Sequence, residues 1–276
     1  MSTQTSDYVL SNSAEAERLR VQARVWKADV EALLDQIGVQ PGWRCLDLGC
    51  GALGILAPLS RRVGPGGHVV GVDTDERLLA TARAHVEQEG LTNVEILQRD
   101  ARETNLPHDS FDLVHMRFVW AFGHADEFLH EMLALAKPGG FIASQETDQN
   151  SWCYFPPRPT WPRLKEAIEA AFIRIGGDAN IGQQTYGMFR RAGLEEVRVR
   201  AAVAALQSSH PYMRMPILGA NGLRKVIVGS GLMSELDLDE TLADMERIIA
   251  DPETYEISFT VTQVWGRKPR VEPTTS

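Results

Sequence analysis

Three carboxylates hold equivalent places along the chain. Asp47, Asp73 and Asp100 each end a short run rich in apolar residues, in RCLD, VVGVD and ILQRD. Behind the first comes LGCGALG, with glycines at 49, 51 and 54. Glycines at this spacing let the backbone turn tightly and a ligand come close to it. Other candidates follow two later apolar runs. HMRFVWAFGH supplies His115, Arg117, Trp120 and His124, and QETDQN supplies Glu146 and Asp148.

Two chemistries fit the glycine turn. Gly49, Gly51 and Gly54 match G-x-G-x-x-G, and Asp73 at the end of the next strand would then hold the ribose of a nicotinamide dinucleotide. Asp47 argues against this, because a carboxylate just before the turn repels a pyrophosphate. It suits an ammonium group, directly or through water. S-adenosylmethionine carries an amino group and a ribose but no phosphate, so the acid favours that cofactor over NAD. Gly49 and Gly51 admit its amino-acid portion, with Cys50 beside it and taking no chemical part. Asp73 accepts from the ribose hydroxyls in charge-assisted bonds of about 1.5–3 kcal/mol. Asp100 accepts from the adenine amino group, with the Ala101 N–H on a ring nitrogen.

Candidates for a general base are His124, just before a helix, and Glu146, which extends from a strand toward the crevice. Such a base is needed only where an acceptor must lose a proton, and it contributes roughly 10²–10⁴-fold. Arg117 is a candidate for the cofactor carboxylate, while His115, inside its strand, reads as structural. Trp120, Trp152 and Tyr154 offer apolar walls for an acceptor. No metal is expected, since the strand ending HMR brings no acid to match Glu146 and Asp148. Cys45, Cys50 and Cys153 have neither disulfide nor zinc spacing.

The elements that must position these groups alternate. WRCLDL, HVVGVD, VEILQRD, FDLVHM and FIASQE read as strands, with helices over 54–63, 75–89 and 125–136, the last stopped by KPGG. This order predicts an α/β fold with a mostly parallel, doubly wound sheet and a ligand beyond the strands' carboxyl ends. SWCYFPPRPTWP reads as a loop, and 161–175 and 183–192 as helices. EEVRVRAAVAAL and YEISFTVTQVWGR predict two long strands, antiparallel at one sheet edge. Between them 208–252 is mainly helical. One helix is expected over 15–37, bracing the sheet or covering the cleft. The chain thus divides as one domain, 1–276: a cover (1–40), a core (41–207 and 253–268) and a helical excursion or lid (208–252).

The 276 residues carry a net charge of −9, which disfavours a nucleic acid partner. No apolar run reaches the roughly 18 residues of a membrane span, and the N-terminus has no secretory pattern. The expected setting is therefore the cytoplasm. A homodimer, with the N-terminal helix packed across a partner, is an open possibility.

CLDLGCGALG, then GVD, RDA, LPHDSFDLV and LAKPGG, together resemble the class I S-adenosylmethionine-dependent methyltransferases. The resemblance covers 43–146 and returns in the last strand. It implies a Rossmann-like seven-stranded sheet with the last strand antiparallel. It also implies Thr74 against the adenine, and Met116 and Arg117 at the methionine end. The turn departs from the family's GxGxG in carrying Leu53 before Gly54. The chain is most similar to the small-molecule branch, which acts on secondary metabolites and quinone-type compounds. In that branch the N-terminal helix closes over the cofactor, which makes Tyr8, Arg18 and Gln22 candidates here. A nicotinamide-dependent oxidoreductase remains the alternative, as does a protein of this fold that binds the cofactor without transferring its methyl group.

Overall fold

The computed structural model describes residues 15–270, with side chains from residue 18 onward. The candidate Tyr8 lies outside the described residues. Two helices come first, α1 (Glu15–Val25) and α2 (Lys27–Ile37), broken at Trp26 where one helix was expected. Then β1 (Arg44–Leu48), α3 (Leu56–Val63), β2 (His68–Asp73), α4 (Glu76–Gln88), β3 (Val94–Gln98), β4 (Phe111–Arg117), α5 (Ala125–Leu135) and β5 (Ala136–Asp148) alternate. There follow β6 (Cys153–Phe155), α6 (Thr160–Arg174), α7 (Gly182–Arg191), β7 (Glu195–Ala202) and β8 (Ala205–Gln207). The chain continues through α8 (Met215–Gly222), α9 (Arg224–Gly229), α10 (Glu235–Ala250), β9 (Tyr255–Ile257) and β10 (Thr260–Arg267). Local chemistry sets several of these ends. Asp75 accepts from the Arg77 N–H at the start of α4, and Ser234 from that of Asp237 at the start of α10.

The main sheet has seven strands in the order β3-β2-β1-β4-β5-β10-β7. β1 to β5 pair in parallel, and β10 runs antiparallel to both β5 and β7. The expected Rossmann-like sheet with its antiparallel last strand is therefore present. Its switch point lies between β1 and β4, where the strand order reverses and a crevice opens. Strand alternation feeds two apolar layers. Cys45, Val69, Leu113 and Ala143 meet α2 and α3 on one face, while Leu46, Val70, Val114 and Ile142 meet α5 to α7 on the other.

Three expectations are corrected. KPGG does not separate helix from strand. Pairing of β4 with β5 starts at Phe111 and Ala136 and resumes at Leu113 and Phe141, so these four residues form a bulge within β5. SWCYFPPRPTWP is not all loop, for it contains β6. The two long strands are each broken, and their ends, β8 and β9, join β6 in a second sheet of order β6-β9-β8. The crossing between the sheets is held at Ser258, whose N–H donates to Ala204 O while its Oγ accepts from the Ala204 N–H at 3.0 Å.

The first two helices divide the tasks expected of one. Val30, Leu33, Leu34 and Ile37 of α2 pack on the sheet side. Arg18, Leu19 and Gln22 of α1 face the crevice, as do Tyr212, Met215 and Leu223 of the helical excursion.

Candidate active site

A cavity of about 420 Å³ opens at the carboxyl ends of β1, β2 and β4. Its polar end is the turn after β1. Gly49 has φ +69°, and a Cβ there would stand 2.6 Å from Val119 Cγ2. Gly54 explains the inserted Leu53. It also has positive φ, and a Cβ would collide with Asp47 Oδ2. Gly54 thus packs on the acid that precedes the turn.

Asp47 lines the cavity floor yet is only 2% exposed. Its Oδ2 accepts from the Ile55 N–H at 2.8 Å, and its Oδ1 pairs with His115 Nδ1 at 2.7 Å. Behind His115 runs a chain of buried groups across adjacent strands. Gln145 on β5 reaches His115 Nε2 at 2.8 Å, Gln263 on β10 reaches Gln145 at 2.7 Å, and Arg200 on β7 reaches Gln263 at 2.7 Å. The guanidinium can only donate, and that fixes every later orientation. Gln263 Oε1 accepts from Arg200, so its amide N–H donates to Gln145 Oε1. Gln145 then donates to His115 Nε2, which leaves the imidazole proton on Nδ1, pointing at Asp47. Asp29 on α2 closes the far end by pairing with Arg200 at 2.6 Å. The sequence reading of His115 as structural undersold it, because His115 orients the acid beneath the turn.

Asp73 receives the Gly51 N–H on Oδ2 and the Asp75 N–H on Oδ1, both at 2.9 Å. Burial raises its pKa, and these N–H bonds oppose the rise. Asp100 is clamped by Arg102, at 2.6 Å to the nearer guanidinium nitrogen, and that bond holds its carboxyl below the usual range. Thr74, Leu78 and Ala101 lie on the same side of the cavity. Cys50 is buried at the turn, and burial lifts its thiol well above the ordinary value. Arg117 and Gln22 line the cavity, and Gln22 accepts from Arg18 at 2.7 Å.

Four candidates are corrected, and a fifth, His124, stays at the cavity. Glu146 does not face the crevice. It is fully buried, its Oε1 accepts from the Val119 and Trp120 N–H groups at 3.3 and 3.2 Å, and Oε2 has no partner. Burial pushes its pKa up to about 8, so it serves as a neutral brace behind the turn after β4. His124 stands at the cavity's mouth beside Asp100, with a side chain 52% exposed and bonded to Glu127 at 2.7 Å. Met116 and Trp120 are core residues joined by an indole N–H to sulfur contact of 2.9 Å. Tyr154 is also core and donates to Met213 O at 2.9 Å.

Trp152 alone of the three aromatic candidates lines the cavity. Its indole N–H donates to Glu256 at 2.8 Å, and burial lifts that carboxyl to about 7. The apolar wall also includes Phe118, Phe172, Tyr212 and Phe259, which sequence reading missed. They come from four separate segments, and no local pattern marks them. Among the described residues no group of His, Cys, Asp or Glu is set to hold a metal ion, and no helix is long and apolar enough to cross a membrane.

These residues fit S-adenosylmethionine. The turn has no room for side chains at Gly49 or Gly54, acceptors stand at the ends of β2 and β3, and an acid lies beneath the place for an ammonium group. Comparison with known proteins agrees. Residues 45–140 match the family described as "Methyltransferase domain". A demethylmenaquinone methyltransferase of Bacillus cereus is 28% identical over 206 residues, covering 69% of this chain and 85% of that protein. A putative methyltransferase from Bacillus halodurans shares the fold with a TM-score of 0.60 at 17% identity, over 88% of this chain and 99% of that one. A phosphoethanolamine N-methyltransferase from Haemonchus contortus, solved with S-adenosylhomocysteine, has a TM-score of 0.59 at 18% identity, over 95% of this chain and 59% of its own. Strand order, glycine turn and the match of residues 45–140 to the methyltransferase domain family therefore converge on a class I S-adenosylmethionine-dependent methyltransferase.

Proposed function

We propose that the acceptor is a small, largely apolar natural product or biosynthetic intermediate. The observation that carries this is the division of the cavity. Asp47, Asp73, Asp100 and the glycine turn form one end, and Trp152, Phe172, Phe259 and their neighbours the other. A net charge of −9 favours such a molecule over a nucleic acid.

S-adenosylmethionine supplies a methyl group already activated on a sulfonium. Asp47, Gly49 and Gly51 would hold its amino-acid end, with Gln22 and Arg117 nearby. Asp73 would take the ribose, and Thr74, Asp100 and Ala101 the adenine. The chain then contributes alignment of the acceptor for in-line displacement and exclusion of water. Among the described residues the apolar wall carries no carboxylate or imidazole, so an acceptor must arrive already nucleophilic. Residues 15–25 and 208–252 act as the cover over this cleft.

The test is turnover with isotopically methyl-labelled S-adenosylmethionine and a panel of phenols, quinols and amines. Label in an apolar product with matching S-adenosylhomocysteine supports the reading. Label only in strongly charged acceptors, or in none, overturns it. Thermal unfolding with NAD in a parallel sample checks the oxidoreductase alternative. Gel filtration of the same preparation tests for a homodimer.

A further inference from the structure

Tyr212 lies between α1 and α8, and its hydroxyl takes no part in the site as described so far. Its ring is 1% exposed and borders the cavity next to Phe259, with ring centres 6.3 Å apart. Trp26 Nε1 sits 2.8 Å from its hydroxyl oxygen. An indole nitrogen only donates, so the hydroxyl accepts there and must direct its own hydrogen elsewhere. Among the described residues no acceptor meets that hydrogen. A buried donor left without a partner is costly, so an oxygen of a molecule bound in this cavity would gain by accepting from it.

The surroundings say which kind of oxygen. Arg18 and Arg117 act electrostatically on the Tyr212 hydroxyl in one sense and Glu256 in the other, and the two guanidiniums favour partial negative charge beside it. Burial raises the phenol's pKa above its ordinary value, so the group keeps its proton and donates. Around it stand Phe259, Trp152 and Phe118, with Trp152 and Phe259 at 5.1 Å and Phe118 and Phe259 at 6.0 Å between ring centres. These faces suit a flat apolar body.

We propose that Tyr212, aimed by Trp26, donates a hydrogen bond to a carbonyl or phenolate oxygen of the methyl acceptor, and so selects flat apolar molecules that carry such an oxygen. This rests on the reading of the cavity as a methyltransferase site.

The experiment uses a matched pair of probes, 1-tetralone and tetralin, which differ chiefly in one ketone oxygen. Each is titrated calorimetrically into the full chain saturated with S-adenosylhomocysteine. Wild type should prefer the ketone by roughly 5- to 10-fold, the worth of one hydrogen bond. Tyr212→Phe should erase the preference and leave S-adenosylhomocysteine affinity within about twofold. Trp26→Phe frees the hydroxyl and should reduce the preference, which keeps the test alive if the first variant does not fold. A wild type that shows no preference, or binds neither probe, overturns the proposal. So does full preference in either variant, or a Tyr212→Phe chain that loses S-adenosylhomocysteine affinity instead. Binding of S-adenosylhomocysteine by wild type is read first, so failure of the cofactor reading shows separately from failure of Tyr212.

Discussion

Asp73 shows how one carboxylate can shape a turn and still face a ligand. Two of its lone pairs take the Gly51 and Asp75 N–H groups, and the rest remain for the ribose that we propose it holds. Asp73→Ala should weaken S-adenosylhomocysteine binding by roughly 10- to 100-fold, the loss of one charge-assisted bond. Calorimetric titration checks it, and unchanged affinity would remove Asp73 from the site. Glu146 and Glu256 set a pH dependence. Their pKa values, about 8 and about 7 in the fold, lie above the ordinary glutamate value of 4.5. Between 4.5 and these values the native chain holds protons that the unfolded chain has released, so stability falls as pH rises through the window. The wild-type Tm should drop from pH 5 to pH 8, and Glu146→Gln should flatten that slope. Parallel slopes for the two proteins would contradict it. At this scale the sequence was legible where position alone decides. Asp47, Asp73 and Asp100 end strands, and strand ends meet at the crevice. It was not legible where side-chain direction decides. Glu146, Trp120 and Tyr154 stand near the same crevice but turn inward, and only neighbours distant in the chain determine that.

Between residues and the whole stands the line of hydrogen bonds from Arg200 to Asp47. It crosses β7, β10, β5, β4 and β1, one side chain from each. Replacing Gln263 by Leu breaks it and leaves the buried amide oxygen of Gln145 unpaired, at about 1–3 kcal/mol. Urea unfolding should show that loss. The same variant should bind S-adenosylhomocysteine more weakly, because His115 and Asp47 lose the orientation that reaches them from β7. A stability loss with unchanged affinity would make the line a structural brace alone. None of this could be read from Gln145 or Gln263 in the sequence, since alternation places both on a buried face without saying what they meet. The periodic elements were legible because βαβ units repeat a local pattern. The break at Ser258 was not, because it answers to Ala204 on another strand.

At the scale of the whole molecule, two segments far apart in sequence line the cleft together. Arg18 and Gln22 come from one, Tyr212 and Met215 from the other, and Trp26 bonds to Tyr212 between them. Hydrogen exchange in 18–26 and 211–223 should slow when S-adenosylhomocysteine binds, while α10 changes less. Equal protection everywhere would argue against a cover. The position of β10 has a consequence for how the protein is made. Gln263 lies 118 positions after its partner Gln145, and a ribosome takes on the order of 10 s to add that many residues. Through that interval β5 has an open edge, and Gln145 lacks the donor on β10 that fixes its orientation toward His115. The cofactor site therefore matures only after β10 is made, and a growing chain has no finished pocket to offer its ligand until that strand arrives.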